Sequence, residues 1–243
     1  MSARRDEATP RDPIARLLIG LFGLIGGLIL TLLLALVIQL ASITWWWPEQ
    51  GVERSRTLLS EEIGYLGTEF KDSLVTSEPA TFAQSMLDQA QHYLLESTGL
   101  MGGLEWLGKR LTAPRAGDSQ LDAAIRKGFS FAGEYLTALM IGVQLFVVRV
   151  CVLLLSMPVF VLFGAVGLTD GLARRDLRRW GGGRESGDRY HIAKRFLMPC
   201  FVVLWITYLC MPWSVNPGFM VVPFAALFGL TLTVTAATYK KYF

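Results

Sequence analysis

Charged side chains are scarce in this chain. Only 18% of its 243 residues are charged, 52% are hydrophobic, and the mean hydropathy is +0.42. A soluble domain of this size usually has ~25% charged residues. The apolar residues also stand in long uncharged runs, with nearly all charges between the runs. This distribution excludes an ordinary cytosolic enzyme, a disordered tail and a disulfide-rich secreted module, and it predicts an integral membrane protein.

Cysteine and histidine are too few and too scattered to build a site. The three cysteines, Cys151, Cys200 and Cys210, have no regular spacing, which excludes a disulfide framework and a CxxC metal site. The two histidines, His92 and His191, fall on opposite sides of the membrane in the topology given below. One chain therefore cannot join both at a metal ion. We predict no metal site and no cofactor.

Catalytic motifs are also missing from the sequence. Residues 181–184 read Gly-Gly-Gly-Arg and lack the Lys-Ser/Thr pair and the preceding strand of a phosphate-binding loop. No HExxH or GxSxG sequence occurs either. We therefore predict that the chain is not an enzyme.

Four apolar runs come near or exceed the ~20 residues with which a helix crosses ~30 Å of hydrocarbon. They cover residues 17–48, 135–169, 196–213 and 219–239, and Arg149 is the only charge within them. Continuous leucine-rich runs lack the alternation of a barrel strand. The first run is also too long for the core of a cleaved signal peptide. The predicted fold class is all-α, a polytopic membrane protein with four transmembrane helices.

The charges between the runs predict the orientation. Segment 1–16 is basic, segment 49–134 holds eight Lys/Arg against thirteen Asp/Glu, and segment 170–195 holds eight against four. Segment 240–243 begins with two lysines. This alternation predicts a multi-pass protein of a bacterial inner membrane with both termini in the cytoplasm. The acidic segment is then periplasmic, and segment 170–195 is a basic cytoplasmic loop.

The acidic segment has the periodicity of soluble helices. Its apolar residues recur every three or four positions, as expected for helices with one packed face. The two periodic sets are Leu58, Leu59, Ile63, Leu66, Phe70 and Phe82, Met86, Leu87, Tyr93, Leu94. We predict a small helical cap outside the membrane.

Gln39 and Arg149 are polar residues of the two long apolar runs, and both are predicted to lie near the outer boundary of the membrane. At ~1.5 Å per residue from the cytoplasmic edge, Gln39 and Arg149 fall at the same depth, close to the outer boundary. An intramembrane arginine indicates a functional site by default. At the boundary it can instead reach headgroups or hydrogen-bond Gln39, and we predict this interfacial role. Trp45, Trp46 and Trp47 are predicted to lie at or just beyond the same boundary.

Glycines follow one face of each of the two long helices. They share the spacing i, i+3, i+7 and are Gly20, Gly23, Gly27 in the first helix and Gly164, Gly167, Gly171 in the second. Small residues on one face allow two helix backbones to approach in lipid. We predict that the two faces pack together near the cytoplasmic edge. A homo-oligomer formed through such a face is the alternative.

The basic loop holds the candidate partner-binding residues. Four arginines recur at i, i+1, i+4, i+5 and so share one helical face, which glycines 181–183 terminate. Such a face could bind anionic lipids, at ~1 kcal/mol per basic residue near the surface. The glycine turn between two basic stretches favours a protein-docking element instead. The predicted partner-binding residues are Arg174, Arg175, Arg178, Arg179, Trp180, Arg184 and Glu185.

The same stretch resembles a known family. Residues 167–186 read GLTDGLARRDLRRWGGGRES and are followed by Tyr190-His191 and Lys194-Arg195. This pattern is similar to inner-membrane proteins of bacterial integrating conjugative elements, which are encoded near the type IV coupling-protein ATPase. The four-helix arrangement and the tryptophan-rich end of the first helix agree with it. The resemblance implies a role in conjugative DNA transfer and supplies no catalytic residues.

Three functions are compatible with these features. We favour a non-catalytic scaffold or adaptor of a conjugative type IV secretion apparatus, which docks the coupling ATPase or another inner-membrane component. A transporter or channel is disfavoured because runs 196–213 and 219–239 carry no charge. Direct nucleic-acid binding through the basic loop is also disfavoured, because a membrane-flush loop with one exposed aromatic is a poor platform for stacking bases.

Overall fold

The computed structural model describes residues 13–69, 79–92, 102, 120–181 and 187–239. These residues form helices and short connections, with no strand among them, so the predicted all-α class is confirmed. The helices are α1 (Pro13–Ala41), α2 (Gly51–Glu69), α3 (Pro79–Gln91), α4 (Gln120–Leu155), α5 (Met157–Trp180), α6 (Gly187–Cys210) and α7 (Pro217–Thr238). A π-helical turn, Ser42–Trp46, follows α1 directly.

Three helical stretches among the described residues are long and apolar enough to cross a membrane. They are Ala15–Trp46, Ala132–Trp180 and Pro217–Thr238. The apolar part of α6, Arg195–Cys210, is shorter than the ~20 residues that a full crossing needs. The structure therefore supports three of the four predicted spans. The predicted span 196–213 stays a prediction, since the apolar part of α6 ends with the helix at Cys210.

The predicted span 135–169 is not one uninterrupted helix. It divides at Ser156, whose hydroxyl donates to the carbonyl oxygen of Val152 at 2.7 Å. Pro158 stands in the first turn of α5, where its missing N–H is tolerated, but it cannot continue the hydrogen-bond ladder of α4. The single long helix is thus corrected to two helices, α4 and α5, within one apolar stretch.

The predicted basic loop is mostly helical. Helix α5 continues to Trp180 and α6 begins at Gly187, so only residues 181–186 connect them. The first arm is the last part of α5, and the second is the start of α6, which stays helical through Pro199. Residues 182–186 lie outside the described part of the chain, and the predicted partner residues Arg184 and Glu185 lie there too.

The helices pack in two groups that share α6. Helix α5 packs along α7, which also contacts α6, while α1, α2 and α3 pack on α4, and α1 also contacts α6. We call the connection of residues 211–216 the turn end of the bundle. We call Asp170–Gly181 and the last turn of α7 the basic end. The buried core joins both groups and includes Leu66, Phe146, Val152, Phe160, Leu204, Tyr208 and Ala225.

Candidate functional site

Arg149 is a buried cation at the turn end. Its side chain is 2% exposed, and it lies on α4. Its Nε and Nη2 donate to Oε1 of Glu62 on α2, at 3.1 and 2.9 Å. The carboxylate of Glu62 is 0% exposed, and its second oxygen accepts the hydroxyl of Tyr208 on α6 at 2.9 Å. Both oxygens of the buried acid therefore have charged or polar partners, as a buried charge requires.

The same arginine holds the end of α6. Its Nη1 donates to the carbonyl oxygen of Met211 at 2.5 Å and lies 3.5 Å from that of Leu209, while Nη2 donates to Trp213 at 3.0 Å. Carbonyls at a helix C-terminus have no helical partners, and a cation there is favourable. Its guanidinium also lies 5.6 Å from the ring centroid of Tyr208. We call Arg149, Glu62, Tyr208 and these carbonyls the Arg149 clasp.

Gln39 lies beside the clasp but not in it. Gln39 and Arg149 line one cavity of about 10 Å³, which is roughly the space for a single water. The amide of Gln39 donates to the hydroxyl of Ser55 on α2 at 3.0 Å. The predicted partners of Arg149, headgroups or Gln39, are therefore corrected. Its partner is Glu62, 87 residues away in a segment that was assigned to a separate periplasmic cap.

The buried face of α2 contains a signal that sequence reasoning missed. Ser55, Leu58, Glu62 and Leu66 recur every three or four residues, and all four are buried. Glu62 thus lies midway along an apolar stripe on which an unpaired carboxylate would be costly. An acid on such a stripe indicates a buried cation elsewhere, and Arg149 is the only charge in the four apolar runs.

The tryptophans lie where α1 turns toward α2. Trp45 is 80% exposed, and the rings of Trp46 and Trp47 are 6.3 Å apart. The guanidinium of Arg54 lies 5.0 Å from the centroid of Trp47, close enough for a cation–π contact. Exposed aromatic residues at the end of an apolar helix are typical of a membrane interface. The interfacial position of the three tryptophans stays a prediction.

The glycine face of α5 packs against α7. A Cβ on Gly167 would clash with the carbonyl oxygen of Gly229, and one on Gly171 would stand 2.6 Å from that of Thr233. Gly164 faces Phe228 in the same way, at 3.1 Å. The hydroxyl of Thr233 also donates to the carbonyl oxygen of Gly167 at 3.0 Å, which adds a hydrogen bond to this close approach.

The glycine face of α1 has no such neighbour. A Cβ on Gly20, Gly23 or Gly27 would meet nothing within 4 Å. The predicted pairing of the two glycine faces is therefore wrong, because Gly229 of α7 supplies the matching gap for α5. Helix α1 approaches α4 at Gly142 instead, where a Cβ would lie 2.9 Å from Cδ2 of Leu36.

The arginines of the basic end continue the glycine face of α5. Arg174, Arg175 and Arg178 follow Gly171 by three, four and seven residues, so all three begin on its side of the helix, and Arg178 reaches the end of α7. Arg178 donates to the carbonyl oxygen of Ala237 in the last turn of α7. Arg174 pairs with Asp170 one turn earlier, at 2.9 Å. Two of the predicted partner-binding arginines thus have partners within the chain.

The remaining residues of the basic end face outward. Trp180 is 92% exposed, Leu177 is 73% exposed, and Arg179 is exposed beside them. Arg175 is half-buried. Helix α5 ends here, where the N–H of Gly181 donates to the carbonyl of Leu177 at 3.0 Å. We call Arg175, Leu177, Arg179 and Trp180 the outer surface of the basic end.

Metal chemistry finds no support in the described residues. Among them, no group of three or more His, Cys, Asp or Glu side chains is placed to hold a metal ion. Cys151, Cys200 and Cys210 are free and buried. The absence of a metal site and of a cofactor stays a prediction.

A comparison with protein families identifies the chain. Residues 46–240 match the family described as IncC plasmid conjugative DNA transfer protein DtrJ-like. The chain belongs to this family. No curated protein and no solved structure matches the chain. Membership supports the conjugation-related part of the resemblance, whereas the family is described for a plasmid rather than for an integrating element.

The family match includes some of the sites described above for this DtrJ-like protein and leaves one of them out. The Arg149 clasp and the basic end both lie inside the matched residues 46–240. The open glycine face, with Gly20, Gly23 and Gly27, lies outside them. The two polar sites therefore lie in the part of the chain that matches the conjugative DNA transfer family.

Proposed function

We propose that this DtrJ-like protein is a non-catalytic adaptor that holds a component of the conjugative DNA transfer machinery at the membrane. The proposed partner is the coupling ATPase. The observation that supports this proposal is the outer surface of the basic end, which ends a helix that is otherwise apolar. Arginine and tryptophan are the residue types that most often dominate the energy of protein–protein contacts.

The basic end is proposed to lie on the cytoplasmic side of the inner membrane. Its positive charge supports this orientation, because cytoplasmic loops near spans are enriched in Lys and Arg. The turn end and α2 would then face the periplasm. A coupling ATPase works on the cytoplasmic side, so this orientation brings the outer surface to the partner.

The contacts of the arginines within the chain indicate which of them we assign to the partner. Arg178 is occupied by α7 and Arg174 by Asp170. Arg175 and Arg179 are therefore the cations that we assign to the partner. A planar guanidinium binds a carboxylate through two parallel hydrogen bonds, which a lysine ammonium cannot reproduce. Anionic lipid needs only the charge.

The expected result for Arg175→Lys with Arg179→Lys is a roughly tenfold loss of partner recovery, the equivalent of ~1.4 kcal/mol. The reason is the lost bidentate geometry at unchanged net charge. Co-purification of the coupling ATPase from detergent and DNA transfer frequency should be measured together. Arg56→Lys at the exposed Arg56 of α2 is the matched control.

Two outcomes would decide against protein docking. Normal transfer and normal ATPase recovery by the double lysine variant would assign the surface to anionic lipid. Recovery that disappears after nuclease treatment would assign it to DNA, with Trp180 as the exposed aromatic at this end. The transporter alternative would need a path past the buried ion pair, where the cavity is only about 10 Å³, the space for one water.

The proposed orientation has its own test. We expect activity from a cytoplasm-specific reporter that is fused after Lys241. We also expect activity from a periplasm-specific reporter that is inserted near Gly117. This pattern follows from the excess of Lys and Arg at the basic end. The two reporters exchanged between the sites are the control. Activity of the exchanged pair would reverse the orientation and leave the basic end on the wrong side for the ATPase.

A further inference from the structure

We propose that the Arg149 clasp is a two-state latch for α2. In the closed state, which the structure shows, Glu62 docks α2 on α4 and α6. In the open state, α2 leaves the bundle, while Arg149 stays on the carbonyls of the turn end. This inference goes beyond the adaptor role, because it concerns the opposite end of the bundle and uses none of the residues of the basic end.

Both states satisfy the two charges, which is what a latch requires. When α2 leaves, Arg149 keeps three carbonyl oxygens, those of Leu209, Met211 and Trp213, and the ring of Tyr208. Glu62 returns to water, where a carboxylate is well solvated. The usual obstacle to opening a buried ion pair is an uncompensated charge left inside, and the carbonyl dipoles around Arg149 lower this cost.

The docking face of α2 is part polar and part apolar. Two of its four buried residues, Ser55 and Glu62, bind their partners through polar atoms. A groove of about 410 Å³ lies along one side of the contact between α2 and α4, lined by Ile63 and Ile141. Leu58 and Leu66 are buried as well, and Leu59 and Ile63 pack against the core, so opening of α2 has to expose these apolar side chains. Two well-packed apolar residues in place of the ion pair would hold α2 equally well, so stability alone does not explain the charges.

A pivot stands at the start of α2. Gly51 is its first residue and has φ +49, the left-handed conformation that glycine adopts without strain. A Cβ there would meet nothing within 4 Å, so this residue is free of packing. A swing of α2 about Gly51 would break the hydrogen bond from Gln39 of α1 to Ser55, so this bond belongs to the closed state.

The first test measures opening directly in membranes. Ser55→Cys, in a chain whose three native cysteines are replaced by alanine, places a thiol on the buried face of α2. A small maleimide should label it slowly, and labelling should become at least severalfold faster when Glu62→Ala is added. Ser60→Cys, on the exposed face of the same helix, is the control that labels at once. If the thiol introduced by Ser55→Cys never reacts, with or without Glu62→Ala, the latch is overturned.

The second test locks the latch. Gln39→Cys with Ser55→Cys replaces two side chains whose polar atoms are 3.0 Å apart, so a short reducible thiol crosslinker can join α1 to α2. We expect the crosslinked protein to transfer DNA at least tenfold less often, and reduction to restore transfer. Wild-type transfer by fully crosslinked protein would show that opening plays no part. Recovery of the ATPase should not change on crosslinking, which separates failure of the latch from failure of the adaptor proposal.

Discussion

Truncation of Arg149 to alanine is expected to lower the free energy of unfolding by about 3–5 kcal/mol, the usual cost of removing one partner of a buried ion pair. The variant strips Glu62 of its cation and leaves the carbonyls of Met211 and Trp213 without their donor. Glu62→Ala should cost less, about 1–3 kcal/mol, because Arg149 keeps those carbonyls. Denaturant unfolding in detergent measures both changes.

An exposed pair provides the control for this prediction. Arg56 and Glu53 are 3.5 Å apart on α2, with side chains 61% and 77% exposed. Arg56→Ala should change stability by no more than about 1 kcal/mol, because water screens such pairs. Equal losses for Arg56→Ala and Arg149→Ala would mean that the clasp contributes no more than a surface contact. A larger loss for Glu62→Ala than for Arg149→Ala would contradict the assigned role of Arg149 at the turn end.

Gly167→Ala is the second large effect, and it has an internal control. Its methyl group would overlap the carbonyl oxygen of Gly229, a backbone atom that cannot rotate away. Overpacking of this kind costs about 1–3 kcal/mol, here by forcing α5 and α7 apart. Gly23→Ala adds the same methyl group to open space on α1. It should be neutral, or stabilising by up to ~1 kcal/mol through helix propensity.

The two glycine variants should be compared by thermal unfolding in the same detergent. A fall in Tm for Gly167→Ala alone is the expected result. A fall for Gly23→Ala instead would show that α1 has a neighbour at its glycine face, and a second copy of the chain would then be the first candidate. Equal behaviour of the two variants would contradict the close approach of α5 and α7.

Two arginines perform the same task at opposite ends of the bundle. Arg149 donates to carbonyls at the end of α6, and Arg178 donates to the carbonyl of Ala237 at the end of α7. A cation at a helix C-terminus is favoured by the helix dipole and by the unpaired carbonyls. One was predicted to bind headgroups or Gln39 and the other to bind a partner. In both cases the arginine instead donates to carbonyl oxygens at a helix end of the same chain.

The sequence by itself determined the helical class, three membrane-compatible helices, the end of α5 at Trp180 and the relation to conjugative transfer. These features follow from apolar run length, helical spacing and a contiguous motif, all of which are local along the chain. The break at Ser156 was also readable, since Met157-Pro158 stands in the run.

Only the tertiary structure decided which faces meet. Periodicity shows that Gly164, Gly167 and Gly171 share a face, but not that this face packs on α7, where Gly229 stands between the buried small residues Ala225 and Thr233. The apolar stripe around Glu62 indicates a buried acid, but only the packing of α2 on α4 shows that Arg149 is its partner. A pattern of apolar residues shows that one face of a helix is buried, but it does not show which helix covers that face. The covering helix depends on shape and charge, and it can lie far away in the sequence.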